Sequence, residues 1–121
     1  MEVHHHPDLH HKKKNFKEYF LEFLMILIKT TQVSFGKYLA MTTCTACHGP
    51  DVKGEEGFSP DLIIAAAYKR EEFFKLIRTG VAPGGRNLGK MSLVAKADLC
   101  YLNNKEINCI CAYLQTKPLN Y

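Results

Sequence analysis

Residues 44–49 read Cys44-Thr45-Ala46-Cys47-His48-Gly49, and the spacing of these side chains governs how the rest of the chain is interpreted. The run is a C-x-x-C-H, the attachment pattern of c-type haem. Two thiols three positions apart on one helical turn can reach the two vinyl groups along one side of a porphyrin. The imidazole of the next residue then stands beneath the iron as an axial ligand, and Gly49 lets the chain turn away with no side chain against the ring. Two other chemistries use a C-x-x-C pair. Thioredoxin-type exchange needs a βαβ setting, and no such pattern surrounds Cys44. Zinc needs a second pair of ligands, which Cys109-Ile110-Cys111 offers in composition. Those two thiols sit two positions apart on an expected helix, so they diverge by about 200°. A zinc-binding module remains the lesser alternative.

Upstream of the motif, Ser34 is placed to cap a helix running through Gly36, Tyr38, Leu39 and Ala40 to Cys47. Residues 49–61 carry three glycines and two prolines and read as loop. Leu62–Tyr68 suits a short helix. Lys69–Thr79 suits a second, with Phe73, Phe74 and Ile77 on its inner face and Gly80 ending it. A glycine-rich loop runs from Gly80 to Lys90. It lacks the preceding strand and the G-x-G-x-x-G order of a phosphate cradle. Asn103 or Asn104 then caps a last helix through Ile107, Ile110, Cys111 and Leu114 to about Thr116, with Pro118 stopping it. No stretch sustains two-residue alternation, so no sheet is expected.

The whole chain is 121 residues, 46% hydrophobic and 23% charged, the size and composition of one ordinary globular domain. Its net charge of +4 is too mild for a nucleic-acid stripe. No apolar run approaches the ~20 residues that cross a bilayer as a helix. Five cysteines at irregular spacing do not make a disulfide scaffold.

Residues 1–32 differ in character from the remainder, and a boundary near residue 32 separates them from a helical domain over 33–121. Five of the six histidines (His4, His5, His6, His10, His11) fall in this tail, followed by Lys12, Lys13 and Lys14. The histidines read as a solvated tail, since such tracts bind metals only non-specifically. Phe16, Phe20, Phe23, Leu24 and Leu27 then recur at helical spacing, with Lys17, Glu18 and Glu22 at other positions, an amphipathic helix over Phe16–Ile28. The uninterrupted apolar run, Phe23–Ile28, is six residues, and no A-x-A comes after it, so no clear secretory signal is present. Three readings stand: peripheral membrane association through residues 12–30, a degenerate signal or anchor, or a gene-fusion remnant.

Taken in order, these features resemble a class I monohaem cytochrome c, of the bacterial sort that also serves as the electron-accepting subunit of dehydrogenase complexes. The resemblance covers residues 33–118, 86 of the 121. It rests on Gly36 ahead of C-x-x-C-H, Ser59-Pro60-Asp61-Leu62 closing the first loop, and Gly85-Arg86-Asn87-Leu88-Gly89-Lys90-Met91. Asn104-Lys105-Glu106-Ile107 opens the last helix, which ends Ala112-Tyr113-Leu114. It implies an all-α cytochrome c fold, three to five helices wrapped around one haem c bound through Cys44 and Cys47, with His48 and Met91 as iron ligands. Met91 lies 43 residues beyond His48, after a loop long enough to cross the haem edge. Met41 sits one turn before Cys44, on the histidine side, and Met25 lies in the N-terminal segment. The resemblance further implies that the Pro60 carbonyl accepts a hydrogen bond from His48 Nδ1 and that Leu62 touches the haem face. By the same resemblance Gly36 lies where the first and last helices cross, beside Tyr113 or Ile110, and Arg86 is a candidate partner for a haem propionate.

The chemistry implied by such a site is one-electron transfer. An iron held by His and Met has no open position, so the protein is expected to be a carrier or relay rather than an enzyme, with a dehydrogenase or terminal oxidase as redox partner. A five-coordinate haem binding gas or peroxide is the alternative if Met91 is not a ligand. Haem attachment outside the cytoplasm implies a periplasmic or membrane-facing location. A domain this small needs its haem as a staple, so the haem-free chain is expected to fold poorly. Cys100, Cys109 and Cys111 stand outside the pattern. Cys111 suits a buried thiol, and a Cys100–Cys109 disulfide stays open.

Overall fold

A computed structural model of the chain describes residues 13–117. The histidine tract and the Pro118 stop lie outside these residues. Five α-helices make up most of the fold: α1 (Phe16–Thr43), α2 (Thr45–His48), α3 (Arg70–Thr79), α4 (Lys90–Ala97) and α5 (Asn104–Leu114). Short 3-10 turns at Pro50–Val52, Leu62–Ala67, Pro83–Gly85 and Leu99–Tyr101 link them. The all-α expectation holds.

α1 departs from the sequence reading. It is one helix of 28 residues, about 42 Å long at 1.5 Å per residue. Ser34 is not its cap but an exposed interior residue. The cap is Asn15, whose side chain accepts from the Glu18 backbone N–H while Glu18 reaches back to the Asn15 N–H. This reciprocal pair satisfies two of the otherwise unpaired amides of the first turn, so the helix starts some twenty residues upstream of Ser34. At the far end it breaks at Cys44, and the motif occupies the separate four-residue α2.

The core forms where the second half of α1 packs across α5. Gly36, Leu39 and Ala40 are the buried residues of α1. They meet α5, which buries Ile107, Cys109, Ile110, Cys111, Tyr113 and Leu114. A Cβ at Gly36 would lie 1.9 Å from the Cys109 carbonyl oxygen and 3.0 Å from Tyr113 Cβ. Tyr113 and the Cys109 backbone therefore meet Gly36 at the crossing. α5 is capped by Asn103, paired reciprocally with Glu106, and it ends at Leu114, two residues before the expected Thr116.

Two elements were not expected. Val81–Ala82 (β1) and Arg86–Asn87 (β2) pair antiparallel, Val81 opposite Asn87 and Ala82 opposite Arg86. Strands of two residues are too short to show an alternation. α4 and the turn after it fill residues 90–101, so Met91 sits on a helix's first turn and not on a loop. Just after α2, Asp51 and Val52 take left-handed backbone angles, φ 59° and 48°. That conformation is costly for a β-branched residue. Complete burial of Val52 and a hydrogen bond from Lys117 Nζ to the Asp51 carbonyl (3.1 Å) hold it.

Candidate haem site

Behind α2 lies an apolar cavity of about 320 Å³. Cys44, Cys47 and His48 line it together with Pro60, Leu62, Arg86 and Met91, so every site residue expected from the sequence borders one space. Of the described methionines Met91 alone lines it; Met41 packs against the core, and Met25 is exposed.

His48 is buried, and its Nδ1 lies 2.8 Å from the Pro60 carbonyl oxygen. A carbonyl only accepts, so Nδ1 carries a proton, and it is Nε2 whose lone pair is open to a ligand. Nε2 has no hydrogen-bond partner among the described residues, in a cavity walled mostly by hydrocarbon. A buried ring nitrogen left without a partner calls for a ligand, and two free thiols border the same space. This donor set fits a haem bound by two thioethers and an imidazole.

The Pro60 carbonyl is itself held. Ser59 Oγ donates to the Cys47 carbonyl, and the Gly54 N–H donates to the His48 carbonyl (2.6 Å). Gly54 has φ 89°, and a Cβ there would come within 2.5–2.7 Å of the Ser59–Asp61 backbone. Any side chain at 54 would push away the segment that holds His48. Glycine is required on both counts.

Burial, and after it the neighbouring Cys47, pushes the Cys44 thiol up to about 11. The neutral thiol is therefore favoured at physiological pH.

Met91 lies in the first turn of α4, half-buried, with Val94 one turn on and also lining the cavity. Ser92, buried beside Met91, fixes the approach. Its Oγ donates to the Gly80 carbonyl and accepts from the Leu88 N–H (2.8 Å), tying the glycine-rich loop to α4. Leu62 opens the 3-10 turn Leu62–Ala67, where Asp61 caps the Ile63 N–H (2.9 Å). Arg86 is exposed at the rim, its Nε donating to the Pro83 carbonyl (2.9 Å).

Sequence reasoning missed other wall residues, among them Phe58, Tyr68, Leu88, Leu99 and Leu102. Arg78 anchors Leu102, and Cys100 beside Leu99. Its guanidinium donates to the carbonyls of Cys100 (2.6 Å) and Leu102 and to Asn104 Oδ1 (2.6 Å). A lone arginine in a helix carries no sequence signal for such a role.

The zinc alternative fails on placement. No group of three or more His, Cys, Asp or Glu side chains placed to hold a metal occurs among the described residues. Cys109 and Cys111 are buried in α5, away from the cavity wall. All five cysteines are free, so the Cys100–Cys109 disulfide is absent.

A family model described as Cytochrome c matches residues 33–118. The chain belongs to the cytochrome c family. Its cofactor is therefore a covalently attached haem c with its iron, and its role is that of a haem-binding electron-transfer protein. Comparison with curated proteins and with solved structures returned no match. The cytochrome c match begins at Val33, the residue from which α1 packs against the core.

Proposed function

We propose that Cys44 and Cys47 carry the two thioethers, that His48 Nε2 and Met91 Sδ are the axial ligands, and that the domain relays single electrons. The observation that supports this best is the Nδ1–Pro60 hydrogen bond, which commits Nε2 to the cavity that both thiols and Met91 border. Bound there, the haem supplies a one-electron iron couple, whose potential a Met ligand raises relative to two nitrogens. The chain's own residues do the rest. Pro60 holds the imidazole's tautomer and orientation, Ser92 and the Gly80–Gly89 loop hold Met91, and the apolar walls exclude water. Arg86, at the rim, is the partner proposed for a haem propionate. A dehydrogenase or a terminal oxidase is the expected redox partner, and a periplasmic or membrane-facing location is expected from where such haems are attached.

The test is an absorption spectrum and intact mass of the protein made with a haem-attachment apparatus. The expected result is the mass of one haem and a weak far-red band in the oxidised form, lost in Met91→Ala. Ready binding of carbon monoxide to the reduced wild-type protein would instead favour the five-coordinate alternative.

A further inference from the structure

Of the fifteen exposed large hydrophobic side chains among the described residues, nine lie between Phe16 and Ile28. The expected amphipathic helix is present there, but its apolar side is covered by nothing among the described residues. At about 100° per residue, Phe16, Phe20, Phe23 and Leu27 centre one side. Glu18, Glu22 and Lys29 share a stripe about 40° wide opposite them. Leu21, Ile26 and Ile28 fill the flanks, Met25 lies beside Glu18 at the edge of the charged stripe, and Lys17 falls between Leu24 and Ile28, so apolar side chains take most of the circumference.

The width of that arc selects the occupant. A second helix seals a seam about 100° wide. It would cover Phe16, Phe20, Phe23 and Leu27 and leave Leu21, Met25, Ile26 and Ile28 in water. A membrane interface takes the broad arc, with Glu18, Glu22 and Lys29 on the water side and Lys17 reaching the headgroups from within it. Crossing the bilayer is excluded by length, since Phe16–Ile28 measures about 20 Å and no described helix is long and apolar enough to span. Charge names the lipid. Residues 12–29 hold five lysines against two glutamates. Lys14 pairs with Glu22 across the polar side and lies over the Tyr19 ring. A basic segment beside an apolar helix favours anionic headgroups.

We infer that residues 16–31 form an in-plane, lipid-binding helix that, with the lysines just before it, seats the protein on an anionic phospholipid surface. The inference rests on exposure and charge and is independent of the iron ligands. Because α1 is unbroken to Thr43, the helix that lies on the lipid also leads directly into Cys44. The haem site is then held beside the membrane, and encounters with partners in the same membrane occur in two dimensions.

The test is co-sedimentation of the full-length, haem-loaded protein with vesicles of phosphatidylcholine mixed with phosphatidylglycerol, or of phosphatidylcholine alone. Binding to the mixed vesicles, weakened by salt, is expected. Phe20→Glu with Leu27→Glu should weaken it at least tenfold with the absorption spectrum unchanged. Lys13→Gln, Lys14→Gln and Lys17→Gln together should weaken it roughly tenfold on the mixed vesicles and little on the neutral ones. Absence of binding to the mixed vesicles overturns the inference, as does binding indifferent to the double glutamate variant. A dimer in solution that this variant dissociates, without vesicle binding by the wild type, would assign the face to a second copy.

Discussion

Between Phe16 and Thr31 no side chain of α1 is buried and only Leu24 is half-buried, whereas from Val33 onward the same helix buries Gly36, Leu39 and Ala40 against α5. The backbone is continuous through both stretches. The outer half holds its helix by local means: the Asn15–Glu18 capping box, stacked Phe16 and Phe20 rings 6.1 Å apart, and Thr30 and Thr31 hydroxyls bonded to carbonyls one turn back. The inner half is held by packing. Helix formation and burial are separable, and only burial ties a segment to the haem site.

The most severe challenge to this contrast is Gly36→Ala. An added methyl on the inner half has no room, with the Cys109 carbonyl 1.9 Å from where it must go. Separating α1 from α5 should cost about 3 kcal/mol, read as a lowered denaturant midpoint of the haem-loaded protein. A loss under about 1 kcal/mol would mean that the two helices do not cross in close contact.

A smaller effect comes from alkaline pH and again touches only the inner crossing. Burial raises the Cys111 thiol, against a weaker opposing pull from Arg70, and burial with the Asp51 charge raises the Tyr113 phenol. Groups whose proton is held more tightly in the folded state stabilise fully below their ordinary pKa, and that contribution is lost as pH rises through the folded value. Stability should therefore be flat to about pH 9 and fall above it, first through Cys111 and then through Tyr113. Cys111→Ala should remove the earlier part of the fall. A midpoint that falls equally in wild type and variant would assign the loss elsewhere.

How far the sequence alone reveals the molecule depends on the same division between local and tertiary causes. Cys44–His48, α3 with its Gly80 end and α5 with its Asn103 cap all carry signals within a few residues of themselves, whereas the Pro60 contact, twelve residues from His48, is legible only through the family resemblance. Ser34 misled because a serine before an apolar stretch looks like a cap, yet inside a helix it simply faces water; the stronger box at Asn15 and Glu18 lay upstream. α4 left no signal because its first residue comes after Gly89 with no side-chain cap, and Ser92 acts through contacts with Gly80 and Leu88. Leu102 is held at the cavity by Arg78, a tertiary contact across more than twenty residues that also takes the carbonyl of Cys100, beside Leu99. Periodicity foretold an apolar face on Phe16–Ile28, but it cannot say whether the protein itself covers that face.

The mildest effect belongs to the outer half. Asn15→Ala removes one partner of the capping box, worth about 1 kcal/mol to the helix it caps. That helix end touches no core residue, so its loss has nothing cooperative to propagate into. Amide exchange should quicken at residues 16–20 and stay unchanged at Ile107 and Ile110, and the denaturant midpoint should move by less than about 0.5 kcal/mol. Anionic vesicles should slow the quickened exchange again if lipid covers this half. Slowing that appears equally at Ile107 would show instead that α1 transmits strain along its length, and the two halves would then have to be counted as one unit.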